Sequence, residues 1–190
     1  MRLWRPYYLC GRQNPCVSGN QKAKDGTEKQ QQGPSVKIQD ILQKNSIITN
    51  LEPSDKTGLL TQMGKYLASL YDLKDQDLIV RKILDREAEM STGIGYGIAI
   101  PHARIEGIER VYMVAGRIVK GIDFNAIDEQ PVHLLFMMLS PANASNQYTQ
   151  LLSSLSRIMS YEEIRSSLIE TEDSGKFLDI IIRGENKYVE

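Results

Sequence analysis

The chain has 190 residues, 41% hydrophobic and 25% charged, which suits one globular domain with a sizeable core. A formal net charge of −1 argues against a dedicated nucleic-acid binder, whose phosphate contacts need a basic face. The longest apolar run, Val132 to Leu139 interrupted by His133, is strand-sized and far short of a membrane span, so no membrane insertion is expected.

Residues 1–34 differ from the rest. The stretch "SGNQKAKDGTEKQQQGPS" is polar and cannot bury much surface. Six basic residues there face only Asp25 and Glu28, a net +4, which leaves the remainder at −5. A functional basic arm is one reading; an unstructured extension, or a start-site artefact ahead of a natural start at Val36, is the one adopted. Intact peptides from residues 1–34 in protein purified from its own cell would exclude the artefact. Cys10 and Cys16, the two cysteines, both fall in this stretch, with neither C-x-x-C nor zinc spacing. "MRLWRPYYLCGRQ" lacks the continuous apolar core of a secretion signal, so a cytoplasmic protein is expected. The domain is placed at 35–190.

From Val36 "VKIQDIL" reads as a short amphipathic helix and "SIITNL" as a strand. Ser54 is read as the cap of a helix over Asp55 to Tyr71, with Leu59, Leu60, Met63, Leu67 and Leu70 on one face. Asp75 or Asp77 starts a helix to about Glu89. A glycine loop follows, then strands at "VYMVAGRIV" and "PVHLLFMML", separated by the turn-rich "KGIDFNAIDEQ". Helices are expected over about Asn146 to Met159, Tyr161 to Glu170 and Ser174 to Arg183. Strands mixed with helices predict an α/β sandwich.

The chemistry concentrates in "GIGYGIAIPHAR", residues 93–104. Glycines let backbone N–H groups approach an anion closely. The spacing Gly93, Gly95, Gly97 is not a dinucleotide fingerprint, Pro101 interrupts any following helix, and no Walker pattern is present. By themselves these glycines fit a tight turn equally well. His102 shifts the balance: an imidazole titrating near neutrality offers a nucleophilic nitrogen that can accept a phosphoryl group and pass it on. A lone histidine is more often structural, and His133, opening the apolar strand, is read so. With two histidines and no H-E-x-x-H, no metal site is expected; no G-x-S-x-G elbow supports a serine triad. Arg86 and Glu87 read as a solvated helix end, or Arg86 as facing an anion held by the loop.

"REAEMSTGIGYGIAIPHAR" resembles the active-site segment of the enzyme IIA domains of the bacterial phosphotransferase system, in the fructose–mannitol class that includes the nitrogen-regulatory IIA proteins. The matching residues are Arg86, Glu87, Ser91, Thr92, Gly93, Gly95, Gly97, Ala99, Pro101 and His102, and "FNAIDEQPVHLLFMMLSPA" continues the likeness, which runs from about Val36 to Arg183.

The resemblance implies a mixed β-sheet with helices on both faces. It implies that His102 accepts a phosphoryl group on Nε2 from phospho-HPr or its nitrogen-branch counterpart, with Arg86 pairing with the phosphoryl oxygens and no cofactor required. Ser91, Thr92, Gly93, Gly95, Gly97 and Pro101 are then expected to form the phosphoryl loop. Many members carry a second histidine on the helix after the Pro-Ala strand; counting from Pro141-Ala142 places Gln150 there, a donor that cannot carry charge. The expected protein is a phosphocarrier, a component of a relay rather than a free-standing enzyme, in a regulatory role, with a regulatory protein or a separate IIB domain as target. Two alternatives stand beside it: a relay to IIB in sugar transport, and a IIA-like binding module that no longer turns over phosphate.

Overall fold

The computed structural model describes residues 36–143 and 145–189. The extension at 1–34, with both cysteines, lies outside the described residues. Two short 3-10 turns, Ile38–Asp40 and Lys44–Ser46, lead into β1 (Ile47–Leu51). Then come α1 (Lys56–Leu70), α2 (Gln76–Glu89), β2 (Gly93–Gly95), β3 (Ile98–Ala99) and β4 (His102–Ile105). The long strands β5 (Tyr112–Ile122) and β6 (Val132–Pro141) precede α3 (Ser145–Met159), α4 (Glu162–Glu170) and α5 (Ser174–Tyr188).

The sheet is mixed. Its order is β1-β5-β6-β3-β2, and β4 also pairs with β6. β5 and β6 run antiparallel at the centre; β1 lies parallel to β5, and β3 and β4 lie parallel to β6. A central strand covered on both faces needs apolar side chains at successive positions, which is why "VHLLFMML" is almost unbroken. Leu135, Met137 and Leu139 face α1 and α2, where they meet Leu59, Met63, Leu67 and Ile83. Leu134, Phe136 and Met138 face the other way, against Leu151, Leu155, Phe177 and Ile181 of α3 and α5. Each fully buried aliphatic side chain contributes roughly 1.5–3 kcal/mol. The chain is therefore a sheet with helices on both faces, as expected.

Three local readings are corrected. Asp55, not Ser54, caps α1: its Oδ1 accepts from Gly58 N at 2.7 Å, while the Ser54 hydroxyl donates to Asp55 Oδ2. "VKIQDIL" forms only a 3-10 turn, because so short a segment cannot offset the cost of helix nucleation. The glycine loop is largely strand: β2 and β3 form an antiparallel hairpin about Tyr96-Gly97, and β3 continues through Ile100-Pro101 into β4 along β6. Gly97 has φ 74°, a backbone that β-carbon-bearing residues adopt at a cost, and its carbonyl accepts from both His133 N and Leu134 N.

Candidate functional site

Pro101 ends β3 and re-aims the chain. Its carbonyl accepts from Met138 N at 2.9 Å, so β6 still holds the strand while the missing N–H leaves an irregular step. After that step His102 and Arg104 point to the α3 side of the sheet, and Ala103 and Ile105 pack into the core beneath α1 and α2.

His102 is half-buried, and its Nδ1 lies 2.9 Å from the carbonyl oxygen of Ile100. A carbonyl only accepts, so Nδ1 carries the proton and Nε2 holds the bare lone pair. Burial pulls His102 below the ordinary imidazole value, and the positive charges of Arg86 and Arg104 act in the same direction, against the Ile100 bond and Glu87. The ring is therefore neutral at physiological pH.

His102 opens onto a cavity of about 490 Å³ lined also by Arg86, Arg104, Lys82, Glu89 and Tyr148. Arg86 sits in the last turn of α2 and donates from Nη1 to the carbonyl of Met90 at 3.0 Å, which fixes its stem at the negative end of that helix. Tyr148, in the first turn of α3, lays its ring against His102, with centroids 5.4 Å apart.

Glu87 faces away from the cavity and is buried. It accepts from Thr92 N (3.0 Å) and Thr92 Oγ1 (2.5 Å) and pairs with Lys56 Nζ at 2.7 Å. Lys56 also donates to the carbonyl of Phe124 at 2.7 Å, and the Ser91 hydroxyl donates to the same oxygen. This buried ion pair ties α1, the end of α2 and the β5–β6 loop together.

His102 and Arg86 are thus brought into one cavity. The remaining expected loop residues are placed elsewhere. Ser91 and Thr92 belong to the Lys56–Glu87 network. Gly93 and Gly95 pack on the β5–β6 loop, where a β-carbon on Gly93 would lie 2.8 Å from Ala126 Cα. Gln150 is a correction: it lines a separate cavity with Ser153, Arg157 and Glu185, and Tyr148 is the α3 residue at His102. Two helical positions differ by about 200°, so the faces of 148 and 150 are nearly opposite. Sequence reading also missed Arg104, although a strand puts residues two apart on one face, and that spacing from His102 could have found it.

His102, with Nε2 bare, shares its cavity with Arg86 and Arg104. The family described as "Phosphoenolpyruvate-dependent sugar phosphotransferase system, EIIA 2" matches residues 40–184. The chain belongs to this EIIA type-2 family. Among its EIIA relatives, the fructose-specific EIIABC component of Bacillus subtilis is 38% identical over 146 residues, 77% of this chain and 23% of that longer protein. The fructose-specific EIIA component of Haloferax volcanii is 35% identical over 143 residues, 72% of this chain and 93% of its own length. In three dimensions the chain is similar to the nitrogen regulatory protein IIA-Ntr of Neisseria meningitidis, with a TM-score of 0.69 and 30% identity over 76% of this chain and 98% of that one. No helix among the described residues is long and apolar enough to cross a membrane.

Proposed function

We propose that this EIIA protein is a phosphocarrier that accepts a phosphoryl group on Nε2 of His102 from phospho-HPr or nitrogen-branch HPr, in the cytoplasm, with residues 35–190 as the working unit. The observation that carries the reading is the Nδ1 contact with Ile100 O, which leaves Nε2 as the nucleophile beside Arg86. The lone pair of Nε2 forms the new N–P bond as the donor's N–P bond breaks, its electron pair returning to the donor ring. The ring of His102 gains positive charge, and the Ile100 carbonyl, accepting from Nδ1–H, stabilises it. Arg86 and Arg104 neutralise the oxygens in flight, so transfer is positioning plus electrostatics. Exchange of one histidine N–P bond for another is close to isoenergetic and reversible.

The phosphorylated protein then acts as a regulator, a role that draws on the likeness to IIA-Ntr. A relay to a separate IIB domain is a second reading, favoured by the higher identity to the two fructose-specific relatives. The test is intact mass after incubation with phosphoenolpyruvate, enzyme I and either HPr. One acid-labile phosphoryl group, absent from His102→Ala, is expected. No gain with either carrier would give preference to a binding module that carries no phosphate. Loss of the group to an added fructose-class IIB would favour the relay.

A further inference from the structure

A second cavity, of about 450 Å³, lies between residues 36–37, α3 and the end of α5, and His102 takes no part in it. Two cations line it from different elements, Lys37 and, on α3, Arg157. Neither forms a salt bridge with a described residue. Ser153 stands one helical turn before Arg157 and shares its face, and Ser154 adds a second hydroxyl to the lining. The acid of the lining, Glu185, is 2% exposed and committed to the backbone: its oxygens accept from Ile38 N at 2.7 Å and Gln39 N at 3.3 Å. The charge left to a ligand is therefore positive.

We propose that this cavity is a binding site for a phosphorylated sugar of hexose monophosphate size. Its two cations match a phosphate dianion, Arg157 as a two-pronged donor and Lys37 as a compact charge. The serine hydroxyls both donate and accept, as the hydroxyls of a sugar do. The lining disfavours two other classes of anion. Val36 and Val189 are its apolar side chains, too few to hold a fatty acid, and no aromatic side chain of a described residue is there to stack a nucleobase. The volume falls in the range of small-molecule sites. The site stands apart from the phosphocarrier reading, because no residue of the His102 cavity contributes to it. The two cavities are joined by one helix: α3 carries Ser153, Ser154 and Arg157 in this lining and, in its first turn, the Tyr148 ring that lies against His102.

The test titrates the full, unphosphorylated chain with fructose 1-phosphate, and separately with fructose and with inorganic phosphate, followed by nitrogen–proton NMR. Fructose 1-phosphate is expected to shift amides of residues 36–37, 149–157 and 185–189, with a Kd of about 1 mM or tighter. Fructose alone and phosphate alone are expected to bind at least about tenfold more weakly, each lacking half of the contacts. Arg157→Gln and Lys37→Gln should each weaken fructose 1-phosphate about tenfold, with the melting temperature of the free protein unchanged. Arg86→Gln should leave that affinity as it was. No shifts at ten times the expected Kd would overturn the proposal. So would equal affinity for inorganic phosphate, which marks a bare anion site, or binding that Arg86→Gln abolishes, which places the ligand beside His102. None of these outcomes touches phosphorylation of His102, and failure of His102 to take a phosphoryl group leaves this titration unaffected.

Discussion

The proposed acceptance of a phosphoryl group needs a bare nitrogen on His102, and its environment favours one twice over: the Ile100 carbonyl fixes the tautomer, while burial and two arginines lower the ring's affinity for a second proton. Phosphorylation is therefore expected to fall only as pH drops below the ordinary imidazole range, because His102 protonates at a lower pH than a free histidine. Removing a guanidinium relieves part of that depression. Arg86→Gln and Arg104→Gln should each raise the His102 pKa, read from its ring-proton NMR titration, and each should slow transfer about tenfold or more. No upward shift would detach the arginines from the imidazole. The same lowered pKa links to folding. The unfolded chain binds the proton more readily, so this contribution is fully present above the unfolded value near pH ~6.5 and is lost as pH falls through the folded one. Melting of the unchanged protein should therefore decline toward acid more steeply than melting of His102→Gln. Of these residues, His102 was legible because Pro-His after alternating glycines is an unusual approach for a core histidine. Arg86 was legible only through the family pattern. Tyr148 was missed for Gln150 because nothing in "SPANASNQYTQ" states how many residues the turn before α3 consumes, and an error of two positions selects the opposite helix face.

At the scale of elements, the sheet is held to α1 and α2 through Lys56 and Glu87. Glu87 is nearly enclosed, so removing its charge leaves Lys56 without its acid and Thr92 N–H with a weaker acceptor. Glu87→Gln should cost about 3–5 kcal/mol in chemical denaturation, and Lys56→Met with Glu87→Gln should cost less than the two single changes added. Additivity would show that the pair is not coupled. Gly93→Ala should cost about 1–3 kcal/mol, because backbone of the β5–β6 loop stands where the methyl must go. β5, β6 and the five α-helices were legible because each is long and carries a consistent apolar period. β2, β3 and β4 were read as loop because they span 3, 2 and 4 residues and owe their extended form to pairing along β6. Alternation cannot show itself in so few positions.

For the whole molecule, the β3–β4 strand passes the seam between α2 and α3, and the cavity is built where both helices approach it. The helix end that carries Arg86 and the helix start that carries Tyr148 belong to opposite layers of the sandwich, so the site exists only in the folded sheet. The measurement to make first is nitrogen-resolved NMR of the protein phosphorylated by phospho-HPr. Phosphorus coupling to Nε2 of His102, with Nδ1–H retained against Ile100, is the expected result. A phosphoryl group on Nδ1, or on any residue other than His102, would contradict the geometry from which the mechanism was derived.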